Sequence, residues 1–532
     1  MGVLQISLNL LSFSLSLLLL VDHHDIVING EVIAGYKPAY QVTDHAALDL
    51  DQQLMTWLLE AQNLTQASLV YQKGAHSKSY AAITLQQTTG KINKNTAFVG
   101  TSIGGEPVTL YAYSDFEAGA TELKLRYATS DIQSEYSFCQ VGKNPEPVLH
   151  GCLTALGTVS LEGIQSAALP YTYNPETDNK NGRTLAGFST GAEKKMGKCG
   201  PQCPYVDYAK YLNYFGEFDY GNQWIMAAFE KRETKFSMGN VDFRPYSQPA
   251  LHKAIQVATL NMNVWMYVIR EFEDALDDCN KGCASDQCNA DKVNAWDEGI
   301  AFYTGSLEGD DGLGDGVLAY ALADDLCKDF KTCGASGDVT TGLSYVNQEV
   351  FSLSDSAVEL LMAEKCAETR FYVQEIVGLI TVPLVQGLLR ATYQSMYAED
   401  EESRDMAKGE AAAFAASVVP ILHNCSESDA AMVQEQLAYT SDQRDYVAIK
   451  QALERHYECM GITCTQVGGL WDPNINEYRK DAAACVTLDE ETSSTSWQWA
   501  ALGVGVGSAA MILLLAVLLM REEQKSLRLS RK

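Results

Sequence analysis

Basic charge is what this chain has least of. Its 532 residues carry 39 Lys+Arg against 68 Asp+Glu, a net charge of −29. That balance excludes a nucleic-acid partner, because neutralising phosphates takes basic stripes. Cations, or solubility at a crowded surface, suit it better. Histidine is scarce as well. The eight present are scattered and HExxH is absent, so zinc hydrolysis has no visible ligand set. Cysteine is missing before Cys139 and after Cys485, and all fourteen lie in between. An even count in an oxidising compartment points to disulfides. Cys199/Cys203, the Cys279–Cys283–Cys288 cluster and Cys327/Cys333 also have the spacing of metal thiolates, but in a secreted chain disulfides are favoured.

Secretion is read from the two ends. Leu4 to Val21 is almost wholly apolar and has no charge before Asp22. It lacks a basic n-region and a clear small-x-small cleavage site, but residues 1–21 still resemble a secretory signal. Ala500 to Met520 is uncharged and, at ~1.5 Å per residue, long enough to cross a hydrocarbon core of ~30 Å. Trp497 and Trp499 sit where an outer aromatic belt belongs. Arg521, Lys525, Arg528, Arg531 and Lys532 put the tail, 521–532, in the cytoplasm. "DEETSSTS" forms a solvated stalk within 486–499. The layout is that of a type I, single-span surface protein. The sequons Asn63-Leu-Thr and Asn424-Cys-Ser mark Asn63 and Asn424 for glycosylation.

Between these ends the hydrophobic period changes. "SLVYQKG", "SYAAITLQ", "PVTLYAY", "TELKLRYA", "YSFCQVG" and "TALGTVSL" alternate as short strands, separated by Gly, Asn and Asp. They make 22–190 a β-rich domain. From about 205 the period is helical. Leu251, Ile255, Ala258, Met262, Trp265, Ile269, Phe272 and Leu276 form one face, widened by Val257, Leu260, Val264 and Val268. Further helices are expected over 317–329, 356–398, 405–422 and 428–458, so 191–485 is a disulfide-braced helical domain. The fold class is therefore α+β, with one transmembrane helix at 500–520. "DEGIAFYTGSL" (297–307) aligns with "GEAAAFAASVV" (409–419), Glu298 over Glu410 and Phe302 over Phe414, as two related helical units would.

Gly187-Phe-Ser189-Thr-Gly191 spells a nucleophile elbow, but its flanks "NKNGRTLA" and "AEKKMGK" give neither the buried strand nor the apolar helix an elbow needs. We therefore read a chance turn, and the chain as a non-enzyme. "EGDDGLGDG" (308–316) misses the EF-hand spacing at Gly312 and reads as an acidic loop.

The oxygen-rich helices offer more. Glu271 continues the apolar line Val257, Leu260, Val264, Val268, and a carboxylate buried there wants a cation, an arginine or a helix end. Asp297, Glu298 and Tyr303 lie close together beside Trp296, Ile300 and Phe302. Glu298 and Phe302 share one face and Tyr303 another, so a site there needs several segments. Tyr214, Asp219 and Tyr220 belong to the tyrosine-rich string 205–224, which also reads as an aromatic packing segment. Carboxylate and phenolate oxygens are the hard donors a ferric ion prefers, and binding must displace the phenol proton. Arg270 and Arg370 neighbour acid-bearing helices and are the candidate anion partners.

"YLNYFGEFDYGNQWIMAAFE" (211–230), "WDEGIAFYTGSLEGDDGLGDG" (296–316) and "LAYALADDLCKDFKTCG" (318–334) resemble the phytotransferrins, the iron-starvation-induced surface proteins of diatoms, and the iron-assimilating proteins of green algae. The resemblance implies capture of Fe³⁺ at the plasma membrane with carbonate as synergistic anion. It also implies endocytosis into endosomal vesicles, with endocytic and ferric-reductase machinery as partners. The rival expectation is a structural or adhesive acidic glycoprotein without specific metal binding, whose acids are merely solvated.

Overall fold

The computed structural model describes residues 30–485, apart from 75–79, 87, 89, 95, 102–104, 106, 113–114, 128–152, 155, 162–164, 173–178, 181–182, 198–204 and 282–285. The stretches read from the sequence as signal segment, stalk, membrane span and tail lie outside the described residues, as do the "YSFCQVG" string, Cys199, Cys203 and Cys283. What is described is a mixed α+β protein.

Four of the alternating strings make strands β1 (Tyr80–Leu85), β3 (Pro107–Ala112), β4 (Glu122–Tyr127) and β5 (Leu156–Leu161), and two strands not read from the sequence, β2 (Ala97–Thr101) and β6 (Gln165–Thr172), join them. Neighbours run β4-β3-β2-β5-β6-β1, and β1 also pairs with β4, so six antiparallel strands close a small barrel. Register follows the alternation. Phe98 lies opposite Leu110 and Ala81 opposite Leu125, and Ile83, Phe98, Leu110, Leu123, Leu125 and Val159 fill the interior.

One expected strand is a helix. "SLVYQKG" lies in α2 (Leu64–Lys73), which follows α1 (Leu48–Glu60). The Asn63 side chain caps α2 by accepting from Gln66 N at 3.2 Å. Leu48, Met55, Leu59, Val70 and Tyr71 of this pair are buried in the same core as the later helices. Within 22–190 the β part is thus the barrel strands, and the preceding helices pack with the helical region.

That region contains α3 (Val206–Phe215), α4 (Tyr220–Phe229), α5, α6 (Asp286–Thr304), α7 (Ala319–Phe330), α8 (Tyr345–Met362), α9 (Cys366–Tyr397), α10 (Glu401–Cys425), α11 (Glu427–Gln436) and α12 (Tyr446–Glu454). Helix α5 is continuous from Gln248–Ala258 through a π-helical turn, Thr259–Val264, into Trp265–Lys281. It starts at Ser247, whose side chain accepts from Ala250 N, with Pro249 in the first turn. Both apolar faces read from the sequence are buried. The segment 356–398, read as one helix, is broken between α8 and α9, where Glu364 adopts φ 58°. The segment 428–458 is likewise two helices.

Two hairpins dominate: α5 packs against α6, and α9 against α10. The aligned strings at 297–307 and 409–419 lie on α6 and α10, the second helix of each hairpin. A disulfide, Cys279–Cys366, staples the end of α5 to the start of α9. Cys327–Cys333, Cys425–Cys459 and Cys464–Cys485 close shorter loops, so Cys327 and Cys333 are a disulfide and not metal thiolates. By length and composition α9 could span a membrane, but 78% of its apolar window is buried inside the protein, as in a core helix.

Candidate functional site

Where α6 crosses α5 the backbones approach closely. A Cβ built on Gly299 would lie 2.8 Å from the Phe272 ring and 3.3 Å from Glu271 Cβ. This close approach sets Glu271 of α5 within electrostatic reach of Glu298 of α6. Glu271 is 1% exposed. Its Oε2 accepts from Arg270 Nη1 at 2.5 Å, whereas its Oε1 is buried without a partner among the described residues. Burial pushes this carboxyl up, Arg270 opposes the shift and Glu298 adds to it.

Glu298 reaches outward. Its Oε1 is 3.1 Å from His45 Nε2 and accepts from Asn294 Nδ2 at 2.8 Å. Arg183 meets the same imidazole nitrogen. From α5 comes Tyr267, stacked on Phe188 with centroids 4.0 Å apart and met edge-on by Phe302. Phe302 also meets the His45 ring, so it buttresses both sides of the group. Lys195 is an exposed residue whose Nζ donates to Tyr267 Oη. Burial of that ammonium pushes it down to about 8, with Arg270 acting in the same direction and Glu271 and Glu298 opposing. Burial, then Glu271, raises the Tyr267 phenol. Arg270 also pairs with Asp274 at 2.9 Å.

The group thus gathers two carboxylates, a phenol and an imidazole against Arg183, Lys195 and Arg270. Carboxylates, a phenolate and an imidazole are ferric donors, and the guanidinium and ammonium groups suit a small oxyanion beside them. Glu271 Oε1 is a buried carboxyl oxygen without a hydrogen-bond partner among the described residues.

Of the residues expected to bind metal, Glu271 and Glu298 are brought together here, with Arg270 as the expected anion partner. The others are placed elsewhere. Asp297 points away from Glu298 and fastens the N-terminal segment, accepting from Tyr36 Oη at 2.7 Å and Tyr40 N at 2.9 Å. Burial pushes it up to about 7. Tyr303 donates to Asn347 Oδ1, and Asn347 in turn donates to Asp324 Oδ1 at 2.8 Å. Tyr214 and Tyr220 are core aromatics: Tyr220 stacks on Tyr211 and Phe215, and Tyr214 meets Phe215 and His423 edge-on. Asp219 precedes α4 and accepts from Gln223 Nε2 at 2.7 Å. Arg370 is taken by Glu273 at 2.5 Å, away from this group. Asn63 is half-buried and Asn424 exposed. Ser189 sits in the helical turn Gly187–Thr190 with its Oγ accepting from Asn222 N, so the GxSxG string forms no elbow.

His45, Arg183, Lys195 and Tyr267 were not anticipated. Tyr267 had one usable signal: it lies one turn before Glu271 on a helix already identified. Comparison with known protein families, curated proteins and solved structures returned no match.

Proposed function

We propose that this is a cell-surface protein that captures ferric iron together with carbonate and is then internalised to release it. The observation that supports this reading is the group around Glu271, in which an unpartnered buried carboxylate oxygen, Glu298, Tyr267 and His45 face Arg183, Lys195 and Arg270. Fe³⁺ takes the anionic oxygens and the imidazole, and carbonate sits against the cations. The membrane anchor at 500–520 is read from its uncharged length and basic flank, and the endocytic route comes with the resemblance.

Release follows from proton competition. Phenolate and carboxylate must shed protons to bind Fe³⁺, so acid displaces the metal, and carbonate is lost by protonation in the same direction. Endosomal acidification then unloads the site, with reduction as an added driving step.

Ferric titration of the full chain at about pH 8 with and without bicarbonate, and again at about pH 5, tests the proposal. Tight binding is expected only at the higher pH and with bicarbonate. Binding indifferent to both conditions would favour the adhesive-glycoprotein reading.

A further inference from the structure

A cavity lies away from the Glu271 group, beside the second hairpin. Its outer lobe measures about 990 Å³ and its inner lobe about 190 Å³. Lys253, Gln256, Arg390 and Glu410 line both, so the two adjoin. Together they have the size of a small-molecule site.

The inner lobe is lined by Gln52 and Asn261, which are 2% and 1% exposed. Gln52 Oε1 and both amide atoms of Asn261 are buried without partners among the described residues. Buried amides are normally bonded, and rotation about the last side-chain bond, which is soft for Asn, can turn these atoms toward the lobe. Asn261 lies in the π-helical turn of α5, and such insertions recur at functional sites.

Charge narrows the ligand. At depth, Glu410 is already held by Arg390 at 3.3 Å, and Arg390 is also held by Asp329 at 3.1 Å. That leaves no unanswered carboxylate there for a cation. At the mouth the exposed Glu60, Glu399, Asp400 and Glu402 oppose an anion and outnumber Lys253 and Arg479. What remains unused among the described residues is the amide capacity of Gln52 and Asn261, both donor and acceptor, with Arg390 Nε and His252 Nε2 beside it, and a hydroxyl group, which both accepts and donates, satisfies such a mixed set from either side. Tyr393, Tyr397 and Trp471 line the outer lobe with flat apolar faces.

We propose that this cavity binds a small neutral polyhydroxylated molecule of the sugar class, with its hydroxyls on Gln52 and Asn261 and its carbon face on the aromatic side chains. This site is separate from the ferric group and stands whether or not iron is bound.

The test is saturation-transfer NMR on the full chain in lipid nanodiscs, with maltose, cellobiose and chitobiose as probes and citrate and spermidine as charged comparators. At least one disaccharide should show transfer, and Asn261→Leu should weaken its binding about tenfold or more. Tyr397→Ala, at an exposed position that folding tolerates, should weaken it about threefold or more, which keeps the test valid if Asn261→Leu fails to fold. Absence of transfer from all three sugars overturns the proposal. So does binding unchanged in both variants, or citrate or spermidine binding in place of the sugars.

Discussion

The two helical hairpins begin from similar strings and end in different chemistry. In the first, α6 sets Glu298 beside a second buried carboxylate, Glu271, and several cations crowd round with one carboxylate oxygen left over. In the second, α10 sets Glu410 against Arg390 from the facing helix, and Asp329 also pairs with that arginine. The residue before each glutamate differs in the same sense. Asp297 ties in the N-terminal segment. Gly409 instead lets α10 press on α5, since a Cβ there would lie 2.1 Å from Ala250 O. Hairpin packing leaves the outcome open; it is set by whether the glutamate's neighbours cancel its charge. Glu410 shares its arginine with Asp329, whereas Glu271 and Glu298 together exceed their hydrogen bonds, and in the reading proposed above that excess takes a cation.

The sharpest way to break this contrast is to neutralise each side. Glu271→Gln with Glu298→Gln should lower ferric affinity by at least about 100-fold, the upper end of what outer partners alone cost. Glu410→Gln should leave ferric affinity unchanged and reduce unfolding free energy by about 2 kcal/mol, the worth of a charged hydrogen bond. Ferric titration and urea denaturation read the two effects. Equal losses of affinity in both would erase the distinction.

Gly409→Ala should destabilise by about 1–3 kcal/mol through overpacking against the Ala250 carbonyl, again with ferric binding intact. Asp297→Asn should cost roughly 1 kcal/mol, since an amide keeps an acceptor for Tyr36 or Tyr40 but can also present its NH₂. A large loss of ferric affinity in Asp297→Asn would return that residue to the site.

A further effect is on pH dependence without metal. Burial holds Asp49 up at about 6, Asp297 and Glu273 at about 7 and Glu308 at about 8. Acids raised on folding bind more protons in the native state, so their contribution is fully present below the unfolded values near 4. It is lost as pH rises through about 6 to 8. The helical region should therefore melt lower at pH 8 than at pH 5 in metal-free protein. Thermal unfolding by far-UV circular dichroism measures this, and a melting point that rises over that interval would contradict it.

The sequence made parts of this arrangement readable and hid others for physical reasons. Five of the alternating strings are described, and four of them are barrel strands. In the fifth, "SLVYQKG", a short run carries too few turns to separate the two periods, and the decisive cue, the Asn63 cap, also spells a glycosylation sequon. Glu271 was legible because a carboxylate on an apolar face demands an explanation. The π-helical turn was not, because a helix buried all round tolerates a one-residue slip without exposing an apolar side chain. His45 and Lys195 lie in the short helices Thr43–Ala46 and Ala192–Met196 and Arg183 in a loop, all too short to show a period and more than 70 positions from Glu271 along the chain, and only the fold assembles them. Asp297 and Tyr303 share a helix with Glu298 but point to other partners, as the helical spacing already required for Tyr303.

The most direct test of the account is optical. Iron bound through a phenolate gives a visible charge-transfer band, and here Tyr267 is the phenol placed beside Glu271, Lys195 and Arg270. The full chain loaded with Fe³⁺ and bicarbonate should show that band. Tyr267→Phe should abolish it, while Tyr303→Phe and Tyr220→Phe should preserve it. A band that survives in Tyr267→Phe and disappears in either of the other two would contradict the assignment of the ferric site to the first hairpin.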